Sequence, residues 1–313
     1  MVSCYVSEQN RLVKKDTLCE GAWIPLISPD ETDLFALSEH YGIDPDVLRA
    51  ALDPDERSRI ESDEGYTMVL VNIPTVEAKS DKELYNTIPL SVILTKTAVI
   101  TVCSEDTLVL QPFLEGRVKD FHTQMKSRFV LQILYRTASL YLYYLRQIDK
   151  KTDEVEGKLQ RSTRNHELFE LLKLEKSLLY FTTALRSNEA VLEKLFRNDL
   201  VKQYPDDADL LSDVIVENKQ AIEMAAIHTG VLNGMMDAFG SVISNNLNFV
   251  MKVLSIVTII MAIPTMIFSA FGMNLNFGSS FAGSTWGFLS VVAASVGLSA
   301  LVAFLFVKMK MFK

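Results

Sequence analysis

Hydrophobic positions along this chain follow three different rhythms. Tyr66–Ile73, Tyr85–Leu94 and Ala98–Cys103 are short runs rich in β-branched residues, which predicts strands. The last two are joined by Thr95-Lys96-Thr97 and fit a hairpin. From about Leu108 the period lengthens. Arg128–Glu156 and Lys158–Arg197 place apolar residues every three or four positions with charge opposite, as the paired helices of a hairpin do. The third rhythm is unbroken: Val253–Met273 supplies 21 apolar or small residues and Trp286–Val307 supplies 22. About 20 suffice to cross a hydrocarbon layer of about 30 Å. The connector Asn274–Thr285 is rich in Gly, Ser and Asn, and returns the chain to the side it left.

Helix starts are marked by Asp-Pro or Ser-Pro pairs. Ser28-Pro29-Asp30-Glu31 predicts a capping Ser28 with Pro29 at the first helical position. Asp44-Pro45-Asp46 and Asp53-Pro54-Asp55-Glu56 repeat the device. Gln203-Tyr204-Pro205-Asp206 breaks the helical hairpin, and no further proline occurs until Pro264. One helix from about Asp206 to Phe271 is therefore expected, roughly 100 Å long at about 1.5 Å per residue. Gly230, Gly234 and Gly240 would weaken it in isolation and are read as points of close packing against neighbours.

The resulting organisation is an α+β body continuing into a membrane. It comprises a cytosolic α/β domain at 1–115, a cytosolic helical hairpin at 116–205 and a stalk helix at 206–252. The first transmembrane span follows at 253–273, an external loop at 274–285, the second span at 286–307 and a basic cytosolic tail at 308–313.

Charge placement sharpens this picture. The formal net charge is -8, but the 55 residues between Lys252 and Lys308 hold no Asp, Glu, Lys, Arg or His. Every charge after Asp237 is a lysine, so residues 1–237 hold all 39 acids against 27 bases. Such an acidic body is not expected to bind nucleic acid, which requires a basic face for the phosphates. A secretory leader is not expected either, since Met1–Asp16 has no apolar segment. Lysines flank the two spans and the connector has none, which predicts both termini in the cytoplasm of a multi-pass protein of the cell (inner) membrane. Cys4, Cys19 and Cys103 are too few and too scattered to predict a disulfide framework.

The first span has a second pattern. Asn248, Met251, Ser255, Thr258, Ala262, Thr265, Ser269 and Gly272 recur at threes and fours, a small and polar stripe on a helix otherwise built of Val, Ile, Leu, Met and Phe. Two arrangements fit it: a packing seam between helices, or a ring of parallel first spans around a narrow water path. Both require an oligomer within the lipid bilayer.

Enzymatic chemistry has little to rest on. His40, His122, His166 and His228 lie far apart, and none has a second His or a Cys at metal-ligand spacing. No Gly-rich loop ends in Lys-Ser/Thr, so ATP-driven pumping is not expected, and no nucleophile motif occurs.

Gly272-Met273-Asn274 ends the first of two C-terminal spans, after a long charged helix and before a lysine tail. That arrangement, with Phe249-Val250-Met251-Lys252-Val253-Leu254 and Thr265, resembles the CorA family of magnesium channels over about Asp213 to Lys313. The resemblance implies a funnel-shaped homopentamer whose first spans line one pore. Its selectivity filter would be Gly272, Met273 and Asn274, with Asn248, Met251, Leu254, Ser255, Thr258, Ala262, Thr265 and Ser269 along the pore. Mg²⁺ keeps its inner waters tightly, so five neutral Asn274 carbonyls could hold the hydrated ion without trapping it. The membrane potential would drive entry, at about 4.6 kcal/mol per 100 mV for a divalent ion. Regulatory Mg²⁺ would bridge acids between subunits and close the pore, with Asp213 as one of them among Asp206, Asp207, Asp209 and Glu217; Asp81 and Glu83 are candidates for its partner. Lys308, Lys310 and Lys313 match a basic ring at the pore mouth.

This sequence departs from the family pattern in having Phe271 for Tyr, Ala262 for a bulky neck residue, Pro264 one position late and no acid in Leu275–Thr285. Mg²⁺ is the expected ion, with Co²⁺ and Ni²⁺ as further cargo and no organic cofactor. A proton-coupled zinc transporter of the same superfamily and a non-conducting membrane scaffold are the alternatives.

Overall fold

The structure, a computed structural model, describes residues 3–8, 11–77, 84–159, 165–197, 205–273 and 285–309. Internal contacts divide the chain into two units, Met1–Met236 and Asp237–Lys313.

In the first unit, β1 (Cys4–Glu8), β2 (Arg11–Lys15), β3 (Ala22–Ile27), β4 (Arg59–Asp63), β5 (Tyr66–Glu77), β6 (Leu84–Thr95) and β7 (Ala98–Cys103) form one sheet. Its order is β2-β1-β3-β7-β6-β5-β4. Only β3 and β7 run parallel; the other neighbours are antiparallel. Side chains alternate across it. Val69, Val71, Ile73, Leu90, Val92 and Val99 enter one core, and Met68, Leu70, Ile93, Ile100 and Val102 enter the other. Burial on both faces makes such strands read as continuous apolar runs.

One face is covered by α1 (Glu31–Tyr41) and α2 (Pro45–Arg49), through Leu34, Leu37, Val47 and Leu48. The opposite face is covered by four elements: α3 (Gln111–Leu114), α4 (Lys126–Leu159), α5 (Asn165–Arg197) and the start of α6 (Pro205–Phe271). Trp23 centres this second core with no exposed surface. The rings of Tyr5, Phe113, Phe121 and Phe129 lie 5.1–6.3 Å from it, and its Nε1 donates to Thr101 Oγ1 at 3.0 Å.

Several expectations change here. The sequence pattern found three strands; β1, β2, β3 and β4 complete the sheet. The edge strands β2 and β4, Arg-Leu-Val-Lys-Lys and Arg-Ile-Glu-Ser-Asp, are too polar to stand out, and β3 contains Pro25. The cap of α1 is Asp30, whose carboxylate accepts from Asp33 N at 2.8 Å, not Ser28. Ser28 instead ends β3 at φ 49, with its N–H donating to Cys103 O. Asp44 caps α2 as expected. Asp53-Pro54-Asp55-Glu56 makes a turn rather than a helix, because only polar residues and the strand β4 follow it.

The second unit contains the remainder of α6 and α7 (Thr285–Lys308). Both helices have stretches long and apolar enough to cross a membrane, with few of their residues covered. α6 continues through Pro264 without a break.

Candidate functional site

The membrane part of α6 has a covered side and an open side. Ile256 and Ile263 are 3% and 8% exposed, and Val253, Ile260 and Ile267 are half-buried in the same row. At roughly 100° per residue, the stripe Met251, Ser255, Thr258, Thr265 and Ser269 lies on the opposite side, and every one of these residues is exposed. Asn248, Leu254, Gly272 and Met273 are exposed too, and Ala262 is half-buried. On α7 the buried residues are Gly287 and Ser295. Among the described residues, the aliphatic side of α6 is covered and the polar side is left open.

Three hydroxyls of the stripe share one geometry. Ser255 donates to Met251 O at 2.8 Å, Thr258 to Leu254 O at 2.8 Å and Thr265 to Met261 O at 2.9 Å. Each proton is held by the helix backbone, so what each oxygen turns outward is an acceptor. Water bound to a cation points hydrogens away from the ion and needs acceptors. A row of such oxygens suits a hydrated cation and offers nothing to an anion.

At the end of α6, a Cβ on Gly272 would lie 3.2 Å from Phe268 O and 3.5 Å from Ser269 O. Glycine fits this close return of the backbone. Asn274, Lys310 and Lys313 lie outside the described residues; Lys308 is exposed as the last residue of α7. An open pocket near Lys252 is lined by Asn245, Asn248, Ser255, Ile256 and, from α7, Phe306. Asn245 is a site candidate that the spacing argument stopped short of, although it stands one helical step before Asn248.

The acids around Asp213 separate into two kinds. Asp213 and Asp209 are exposed on α6, and Glu217 is half-buried. Asp206 lies 3.7 Å from Arg128. Asp207 is fully buried, with Oδ2 accepting from Ser127 Oγ at 2.6 Å, so it fastens α6 to α4 and is unavailable to an ion in water. Among the described residues, no three His, Cys, Asp or Glu side chains converge within the chain as a metal site would require. Asp81 and Glu83 lie outside the described residues. Gly230, Gly234 and Gly240 have open space where a Cβ would stand, so among the described residues none packs closely on them.

An α/β body, a long helix passing into an apolar span and a second apolar helix with a lysine end are the parts of a membrane-spanning protein. The chain belongs to the CorA-like Mg²⁺ transporter family, whose model matches residues 20–308. It is 28% identical to the cobalt/magnesium transport protein CorA of Methanocaldococcus jannaschii over 293 residues, covering 91% of this chain and 89% of that one. It is 25% identical over 293 residues to the protein of that name from Thermotoga maritima, covering 92% and 82%. The complete structure of the M. jannaschii CorA magnesium transporter superposes with a TM-score of 0.82 over 98% of this chain and 97% of that one, at 24% identity. Family membership makes the chain a divalent-cation transporter, not an enzyme.

Proposed function

We propose that this chain forms a homopentameric channel admitting Mg²⁺ to the cytoplasm down the membrane potential. The observation that carries it is the open row of acceptor oxygens on α6, turned away from the covered side of the same helix. Five copies of that row would surround a narrow wet path, with Asn274 at its outer end and Asn248 and Met251 at its inner one. The relatives named for magnesium and cobalt transport support Mg²⁺ as cargo, with Co²⁺ as a second ion. Both termini lie in the cytoplasm on this account, with Lys252, Lys308, Lys310 and Lys313 on the positive side. Cytosolic Mg²⁺ closes the pore by binding between neighbouring subunits at Asp213; exposure of Asp213 and the lack of a convergent acid cluster within the described chain both support a shared site.

The test is ion uptake into proteoliposomes with an inside-negative potential, for the wild type and Asn274→Ala. Mg²⁺ flux that requires the potential and is lost in Asn274→Ala is expected. Zn²⁺ flux that follows a pH gradient instead would assign the chain to a proton-coupled zinc transporter, and no flux of either ion would leave a scaffold.

A further inference from the structure

The open pocket near Lys252 lies between α6 and Phe306 of α7 and has a volume of about 650 Å³, within the range of small-molecule sites. On α6 its floor is the row Asn245, Phe249, Lys252, Ile256 and Ile259, spaced by threes and fours. Lys252 is one residue on from Met251, so it points about 100° round the helix from the polar stripe. Asn248, Met251 and Ser255 of that stripe form one edge of the pocket. The floor changes character along the axis. Asn245 and Lys252 are polar, whereas Ile256 and Ile259, the latter about 10 Å beyond Lys252, are apolar, as is Phe306 opposite.

Lys252 is the one charged side chain between Asp237 and Lys308, and it is exposed. Asp237 is the only acidic side chain of this unit and stands about 22 Å away along the same helix. No acid of the unit therefore serves as a counter-charge to the ammonium. A parallel second copy laid over the pocket would carry its own acid at the same distant level, and would bury the cation unpaired at high cost. A molecule that is anionic at one end and apolar at the other suits both parts of the pocket.

We propose that this pocket holds an anionic phospholipid. Its phosphate meets the Lys252 ammonium and the Asn245 side-chain amide, and its first acyl carbons lie along Ile256, Ile259 and Phe306. Basic pockets between membrane helices recognise acidic head groups by this combination. The site lies to the side of the polar stripe, and it stands whether or not the chain conducts ions.

The experiment titrates the full chain in detergent with dioleoylphosphatidylglycerol and, separately, with dioleoylphosphatidylcholine, and measures retained lipid by native mass spectrometry. The wild type should hold phosphatidylglycerol about fivefold more tightly, the worth of one lysine against an anionic head group. Lys252→Gln should bring the two lipids level, with phosphatidylcholine binding unchanged, while Lys252→Arg and Lys308→Gln should both keep the preference. Equal retention of the two lipids by the wild type, a preference that survives Lys252→Gln, or its loss in Lys308→Gln would overturn the proposal. Glycerol phosphate, a head group without chains, should fail to displace the lipid; displacement would show a site for free phosphate and would overturn it equally.

Discussion

Asn188 on α5 and Asn72 on β5 hold each other by reciprocal hydrogen bonds: Asn72 N donates to Asn188 Oδ1 at 2.9 Å, and Asn188 Nδ2 donates to Asn72 O at 2.8 Å. β4 pairs with β5 only as far as Arg59↔Leu70, so at Asn72 the strand edge has no neighbouring strand. The side-chain amide of a helix fills that place. Ser58 Oγ also donates to Asn188 Oδ1 at 2.8 Å, and Tyr141 OH donates to Asn72 O at 2.9 Å, which completes a partly buried network.

Asn188→Leu should therefore cost more than a surface change. It leaves the half-buried Asn72 N–H unpaired, at about 1–3 kcal/mol, while Ser58 loses its acceptor but still accepts from Asn72 Nδ2 at 3.1 Å. At about 2–4 °C per kcal/mol for a unit of this size, the melting temperature should fall by roughly 2–12 °C. Thermal unfolding of the full chain in detergent checks this; an unchanged melting temperature would show that water replaces the amide.

Asp207 and Asp213 sit six residues apart on α6, about 1.7 turns, and so face different sides and should behave oppositely. Asp207→Ala strands Ser127 and should lower stability by about 1–3 kcal/mol. Asp213→Ala removes an exposed carboxylate and should leave the melting temperature within about 1 °C, while weakening inhibition of flux by internal Mg²⁺. Melting curves and the internal Mg²⁺ giving half-inhibition, measured on both variants, separate the roles. Unchanged inhibition in Asp213→Ala would remove that residue from the sensor.

Thr258→Val tests the outward-facing acceptors. The methyl matches the hydroxyl in size, so packing is kept while one ring of acceptor oxygens disappears. A loss of about 1 kcal/mol of ion hydration along the path lowers Mg²⁺ flux by roughly three- to tenfold. Ile260→Val, a similar change on the half-buried side of α6, should leave flux nearly unchanged. Equal effects from both substitutions would mean that the stripe is a packing seam rather than a path.

The two apolar helices were legible because lipid imposes a simple rule: a span is a long run without charge. The long helices were legible by periodicity, and α2 by Asp44-Pro45. The sheet was only partly so. Its central β5, β6 and β7 are apolar on both faces, whereas β2 and β4 depend on a neighbour to become strands, and no local pattern announces that. Asp30 took the cap from Ser28 because Ser28 was needed at φ 49 to leave β3. Among the acids at the start of α6, spacing could place Asp207 near Asp213 but could not show that one faces α4 and the other solvent.

Cys103 gives the first unit a definite alkaline weakness. It has no exposed surface, and burial pushes its thiol from an ordinary value of 9.0 up to about 11. Below pH 9 the thiol is protonated in the folded and the unfolded chain, so it adds no pH dependence. Between pH 9 and 11 the unfolded chain has released the proton and the folded chain retains it. The folded state then binds more protons, and stability falls as pH rises, by about 1.4 kcal/mol per unit. Above pH 11 both states are ionised and the loss levels off, at about 3 kcal/mol in total. Tyrosines and lysines titrate in the same window, so the informative quantity is the difference from Cys103→Ala. That variant should be less stable at pH 8, from the small cavity it opens, but should lose stability less steeply from pH 9 to 11. Denaturant midpoints of both proteins across this range measure the two slopes, and parallel slopes would show that the Cys103 thiol ionises alike in the folded and unfolded chains.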